Sequence, residues 1–396
     1  MSSALDRRRL IKAGGSLAAA FSGLHANTVR AATTGVAVQK DFEPRGQRGI
    51  FERLPDLNLE SYHDFLRGFR QWSNFNGLAR ACEARAAKVC EEAGIKIDPK
   101  VALQLDQILP VLANDPIVTL YGRAWLDGQY YKFKTLQEAF HANADSCFDE
   151  MEANDAVGPG KLELNPTMYI PDYTRHEIHT QLGGYVGDPL AGYIYLYDVL
   201  ILSDGRDEQD LSFINRANGV PVPKDEKVKR VLDLGTGVGQ LATSFQKRFP
   251  EAEVWGVEVG APMIRYAHVR ANDMGNKANF RQALAENTGL PDGYFDIVAS
   301  SAFYHEVTAE AAVEIFKEAH RVLRPGGVFS IEGSLGPTPN DPWAKFRKYL
   351  DMRWNHEDWT VEWSELDKVT PMKKIGFKFD APDPLAPGAS TIARKA

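Results

Sequence analysis

The stretch VLDLGTGVGQLATSF, residues 231–245, decides the fold. Val231, Leu232 and Leu234 surround a single acid, Asp233, and read as a short buried strand. Glycine then takes every second position, at 235, 237 and 239, before Leu241 and Phe245 resume at helical spacing. Glycine allows positive φ and close approach of backbone to a ligand. In an open α/β sheet, ligands sit beyond the carboxyl ends of the strands, where the strand order reverses. A strand, a glycine bend and a helix therefore predict a ligand-binding loop of that class.

The loop's chemistry narrows the ligand. A phosphate-cradling loop ends in lysine followed by Ser or Thr, whereas the first lysine here is Lys247, well inside the following helix. The dinucleotide fingerprint G-x-G-x-x-G needs a glycine where this chain has Gln240, which disfavours a nicotinamide enzyme.

Working outward, short apolar runs alternate with longer helical patterns from Lys229 onward, as a parallel α/β sheet requires. Strands are expected near 229–234, 253–258, 278–283, 295–301 and 327–333, with a final pair near 376–380 and 389–394. Thr308 is placed to cap a helix carrying Val313, Phe316, His320 and Leu323 on one face. Upstream the pattern is helical. Phe65, Phe69 and Trp72 recur at helical spacing and predict one buried face, and further helices are expected at 99–113, 115–130, 134–152 and 174–202. The expected architecture is a Rossmann-like, doubly wound, seven-stranded α/β sheet (221–396), preceded by a mostly helical cap or substrate domain (58–220).

The first 31 residues read differently. Arg7, Arg8 and Arg9 precede a mildly apolar, small-residue stretch from Leu10 to Leu24, the grammar of a signal peptide. The run DRRRLIK resembles a twin-arginine export signal, with Asp6 where Ser or Thr is usual and a plausible cut after Ala31. That resemblance implies a periplasmic location, with a cytoplasmic one as the alternative. Residues 32–57 are polar and arginine-rich and read as a linker. The net charge of −7 offers no global field for gathering nucleic-acid phosphates, and no apolar run reaches the roughly 18–20 residues of a membrane span. Cys82, Cys90 and Cys147 lack metal-type spacing and are expected to be buried free thiols.

Four motifs in order carry a family resemblance: VLDLGTGVG; VWGVEVGAPMIRYA, whose strand ends on Glu258; LAENTGLPDGYFDIVASSAFYHEV; and EAHRVLRPGGVFSIEG. Together, over about 229–333, they resemble the class I methyltransferases that use S-adenosylmethionine. The resemblance implies that Asp233, Gly235, Thr236, Gly237 and Gly239 cradle the methionine end of that cofactor. It implies that Glu258 accepts the ribose hydroxyls, that Met263 packs on the ribose, and that Ala285 or Glu286 reads the adenine. Leu284 stands where the family usually has Asp or Asn, and Ser301 matches a small polar residue beneath the cofactor.

Methyl transfer from a sulfonium is an in-line displacement, so positioning dominates and a base is needed only for an acceptor that must lose a proton. Tyr304 and His305, followed by Glu306, occupy the usual place for such groups. Two further segments are expected near the site. One is the stretch with His179, Gly183, Gly184 and Tyr185; the other is a helix capped by Asp341, with Trp343, Phe346, Leu350 and Trp354 on one stripe. The implied activity is methyl transfer to a small or medium organic acceptor, with no metal and no nucleic acid. A protein that keeps the cofactor pocket without turnover, and a nicotinamide oxidoreductase, remain alternatives.

Overall fold

The glycine stretch folds as strand, loop and helix: β4 (Arg230–Leu234) runs into the 235–239 turn, and α9 (Gln240–Arg248) follows. Side chains alternate across a strand. Val231 accordingly packs on one face of the sheet with Leu241, Phe245 and Ile264, while Leu232 and Leu234 pack on the other with Ile315, Phe316 and Phe329. Both faces are covered, so the strands need not alternate apolar with polar residues. The central strand β7 (Phe295–Ser300) is buried at every position.

The computed structural model describes residues 47–48, 51–52, 54, 56–98, 101, 103–202, 207, 209–332, 340–381, 384 and 390–396. The expected export signal, residues 1–31, and the linker up to residue 46 lie outside them. Residues from Gln47 to Ala396 form one compact unit.

This unit opens with a short antiparallel hairpin, β1 (Gln47–Arg48) and β2 (Phe51–Glu52). The first helices are α1 (Leu57–Arg70), α2 (Gly77–Glu92), α3 (Leu105–Leu112), α4 (Pro116–Ala142) and α5 (Ala144–Asn154). After β3 (Leu162–Glu163) come α6 (Gly184–Gly187), α7 (Ala191–Leu202) and α8 (Leu211–Gly219). The α/β portion then adds β5 (Glu253–Glu258), α10 (Ala261–Asp273), β6 (Asn279–Gln282), β7, α11 (Ala309–Val322) and β8 (Leu323–Ile331). It closes with α12 (Pro342–Trp354), α13 (Thr360–Glu365), α14 (Val369–Ile375), β9 (Phe377–Phe379) and β10 (Thr391–Lys395).

The sheet order is β3-β6-β5-β4-β7-β8-β10-β9, parallel except that β10 runs antiparallel to both β8 and β9. Chain order reverses at β4, which has β5 on one side and β7 on the other, so the crevice lies past Leu234 and Ser300.

Several expectations need correction: α4 runs unbroken across the break expected between residues 130 and 134, and the helix expected at 174–202 is divided, with α6 and α7 as separate helices. The sheet has eight strands rather than seven, because Leu162 and Glu163 pair with Phe280 and Arg281 at its edge. Two residues are too few to show a period in sequence. The pairing is clamped by Arg281, whose Nε donates to Glu163 Oε2 at 2.7 Å.

The aromatic stripe faces outward at its two ends, where Phe65 on α1 is 65% and Trp72 just past it 49% exposed, while Phe69 between them packs partly against the α2 and α4 core. The helix buries Glu60, His63, Leu66 and Arg70 instead. Spacing identifies residues that share a face but not which face meets the protein. Here polar partners are waiting inside, with His63 Nε2 3.0 Å from Thr135 Oγ1 and Arg70 bonded to Gln129.

Elsewhere local chemistry sets the boundaries. Asp56 starts α1 by accepting from Asn58 N and Leu59 N, Thr308 caps α11 through Ala311 N, and Asp341 caps α12 through Ala344 N. On α12, Trp343, Phe346 and Leu350 are buried with α2 and α4, whereas Trp354 is exposed. Cys82, Cys90 and Cys147 are buried free thiols, and burial pushes the Cys82 thiol up to about 11.

Candidate functional site

The loop after β4 and the loop after β7 meet at one point. Gly235 has φ +66°, and a Cβ there would lie 2.4 Å from the Phe303 ring, so only glycine fits. Behind them opens a cavity of ≈ 400 Å³. That volume falls in the range of about 300–1,000 Å³ usual for small-molecule sites.

At its sheet end the cavity is acidic. Asp233 Oδ2 accepts from Thr236 Oγ1 at 2.5 Å, and burial lifts its carboxyl to about 7. Glu258, at the end of β5, accepts from Gly260 N through Oε1 and from Gly237 N through Oε2, both at 3.1 Å. Burial still holds its pKa above the ordinary value. Each carboxylate oxygen has two lone pairs, so Glu258 keeps acceptor capacity for a ligand. Two buried acids with no ion pair to a cation among the described residues are costly in isolation, and a positively charged ligand offsets that cost.

Of the residues singled out from sequence, Asp233, Gly235, Thr236, Gly237, Glu258, Met263, Ser301 and His305 line this one cavity. Gly239 caps α9 and does not line it. Ala285 is packed in the apolar core, Glu286 accepts from the Tyr173 hydroxyl, and neither lines the cavity. Ser301 lines it while its hydroxyl bonds Glu332 and Arg216. Tyr304 is turned away into the core, stacked on Trp363 at 4.8 Å between ring centroids. The next residue faces the other way, as adjacent positions in a tight turn do, and His305 reaches the cavity.

The far end of the cavity is built from side chains distant in sequence. His179 Nε2 lies 3.0 Å from Glu357 Oε1 and 3.8 Å from Glu306 Oε1, and the Tyr185 hydroxyl is 3.2 Å from His179 Nδ1. His305 Nε2 lies 3.3 Å from Glu306 Oε1. Asn355 Nδ2 donates to Glu357 Oε1 at 3.0 Å, and Asn355 is itself held by Gln129 Nε2 at 2.5 Å. Arg70 completes the chain by donating to Gln129.

Electrostatics follow from this crowding. Burial opposes an imidazolium at His179, but its hydrogen bond to Glu357 and the charges of Glu306 and Glu357 outweigh it and raise its pKa; Lys132 pulls the other way. At His305 burial is again overcome, by the charge and hydrogen bond of Glu306, and the group is pushed up to about 9. Burial and the Glu357 charge lift Asp351 to about 6, while Glu357, bonded to His179, is held well below the usual carboxylate range. Among the described residues no cluster of three His, Cys, Asp or Glu side chains is arranged to hold a metal ion.

The backbone at this end is strained. His179 has φ 56° and ψ 21°, and Thr180 has φ 64°. A left-handed β-branched residue is a steric outlier, and each such conformation costs of order 1–3 kcal/mol. Sequence pointed to His179 and Tyr185 but gave no sign of Gln129, Arg347, Asp351, Asn355 or Glu357. Arg347 and Asp351 share α12 with the buried Trp343 and Phe346 yet line the cavity. The one available signal was the polar cluster NHED, residues 355–358, set among tryptophans.

Comparison with known proteins places the sheet end in context. A family model described as a methyltransferase domain matches residues 231–327. A demethylmenaquinone methyltransferase from Thermus thermophilus is 38% identical over 134 residues, which is 33% of this chain and 57% of that protein. A ubiquinone/menaquinone biosynthesis C-methyltransferase from Cupriavidus metallidurans is 31% identical over 126 residues, 31% of this chain and 49% of that one. The chain thus spans about half the length of these curated relatives. A TehB-like methyltransferase structure from Corynebacterium glutamicum aligns with TM-score 0.37 and 14% identity, covering 53% of this chain and 100% of that one.

Proposed function

We propose that this chain, whose residues 231–327 match a methyltransferase domain, transfers a methyl group from S-adenosylmethionine to a small or medium organic acceptor. One observation carries the reading: the buried acids Asp233 and Glu258 face a single cavity across a glycine loop that has no lysine or arginine of its own. Such a donor set suits a ligand with positive charge and a ribose diol and does not suit a pyrophosphate.

When bound, the cofactor supplies an electrophilic methyl group on a cationic sulfur. The main chain of Gly235 to Val238 and the Asp233 side chain hold its amino-acid end. The remaining lone pairs of Glu258 take the ribose hydroxyls, and Met263 packs on the sugar. Phe75, Trp125, Tyr195, Phe213 and Phe303 give the rest of the cavity ring-shaped apolar walls, which exclude water and suit an acceptor with an apolar ring body. His305, its Nε2 turned to Glu306, lines the cavity beside the β7 loop.

Calorimetric titration with S-adenosylmethionine and, separately, with NAD tests the assignment. One-site binding of the first alone is expected; binding of NAD alone overturns it. Export of the folded chain stays a proposal resting on Arg7 and Arg8. Fractionation of cells carrying the Arg7→Lys, Arg8→Lys pair tests it, since cytosolic recovery of both forms would discard it.

A further inference from the structure

Tyr185, His179 and Glu357 form a connected series on the cavity wall that cofactor binding does not use. The Tyr185 hydroxyl meets Nδ1 of His179, and the opposite ring nitrogen meets the Glu357 carboxylate. All three residues line the same cavity as the glycine loop. This is the order of parts in a hydroxyl, imidazole and carboxylate triad, recognised by geometry and role and not by position in the chain.

Four structural features hold the series in place. The left-handed pair at His179 and Thr180 sets the imidazole, and the strain is retained because both ring nitrogens are engaged. Gly184, at φ +55°, allows the chain to turn back so that Tyr185 faces His179; a Cβ there would lie 2.2 Å from the His176 carbonyl oxygen. Glu357 is braced by Asn355, which Gln129 and Arg70 fix in turn. The Tyr185 ring is itself seated edge-on against Tyr195, with centroids 5.5 Å apart.

We propose that the acceptor carries an acidic hydroxyl on an apolar ring, as in a phenol or enol, and that Tyr185, backed by His179 and Glu357, removes its proton. This rests on the methyltransferase reading of the cavity. The acceptor O–H bond breaks and its electron pair stays on the acceptor oxygen. The proton passes to Tyr185 Oη as the proton of Tyr185 passes to His179 Nδ1, and the resulting imidazolium faces the carboxylate of Glu357. Tyr185 is the catalytic residue; His179 holds the proton, and Glu357 is a positioning residue that fixes the ring and its tautomer.

The test uses the full chain loaded with S-adenosylhomocysteine and titrated with 4-nitrophenol, following the phenolate absorbance band. One equivalent is expected to bind, with a larger ionised fraction than in buffer. Tyr185→Phe and His179→Gln should each lower the bound phenolate by about tenfold or more, equivalent to about 1.4 kcal/mol. Both should keep the affinity for S-adenosylhomocysteine measured by calorimetry. The proposal falls if the protein leaves 4-nitrophenol neutral or unbound, or if both variants ionise it as well as the parent. Should His179→Gln fail to fold by circular dichroism, Tyr185→Phe, which removes a single oxygen, decides alone. Phenol ionisation without any affinity for S-adenosylhomocysteine would remove the cofactor assignment and leave the proton acceptor standing.

Discussion

The two ends of the cavity are made in opposite ways. At the sheet end, Asp233, Gly235, Gly237 and Glu258 lie within 26 residues of one another and are placed by backbone hydrogen bonds between adjacent parallel strands. At the helical end, Arg70, Gln129, His179, Tyr185 and Glu357 span most of the described chain and are placed by one another's side chains. A main-chain site survives wide variation in the surrounding residues, whereas a side-chain network depends on each member. The first kind suits a constant ligand and the second a ligand that differs between proteins of similar fold.

That contrast makes the helical end the more fragile of the two. Lys132 and Asp198 form an ion pair there with neither side chain exposed, and burial pulls the Lys132 ammonium down to about 7. Lys132→Met leaves the Asp198 carboxylate buried alone and should cost about 3–5 kcal/mol in urea unfolding. A loss below 1 kcal/mol would show that the pair is dispensable and the two ends equally robust.

At the sheet end the larger effect is on binding. Glu258→Ala removes a charged acceptor worth about 1.5–3 kcal/mol and should weaken S-adenosylmethionine by about one to two orders of magnitude in calorimetry. Tyr185→Phe, at the other end, should leave that affinity unchanged, and equal losses in both variants would erase the division.

Smaller still is the dependence of stability on pH. His305 has an ordinary value of 6.5 and a folded value of about 9. A group with a raised folded pKa gives stability that is fully present below the unfolded value and lost as pH rises through the folded one. Urea midpoints of the parent should therefore fall between pH 6.5 and about 9 more steeply than those of His305→Gln. Parallel curves would mean that Glu306 does not hold the imidazolium.

The smallest effect is expected on the outer face of α1. Phe65→Ser, at a position 65% exposed, should change unfolding free energy by no more than about 0.5 kcal/mol. A loss of 2 kcal/mol or more would mean that this aromatic face is covered in solution.

Legibility in the sequence follows the same division. The strands from β4 to β7 fell close to their expected places because buried parallel strands bounded by glycine and proline announce themselves locally. The acid at the end of β5 and the glycine loop were visible for the same reason. Tyr304 and His305 are neighbours in a single turn, and nothing in their spacing tells which enters the core. Glu357 meets His179 across 178 positions, and such a contact leaves no periodic trace. The stripe on α1 failed for a related reason: amphipathic spacing defines two faces, and buried polar partners on α4 chose between them.

The most direct measurement is a structure of the full chain with S-adenosylhomocysteine. The ribose hydroxyls should lie within hydrogen-bonding distance of Glu258, with the sulfur directed toward the space between His305 and Tyr185. A nucleoside bound elsewhere, or a sulfur facing away from both of those side chains, would contradict the account.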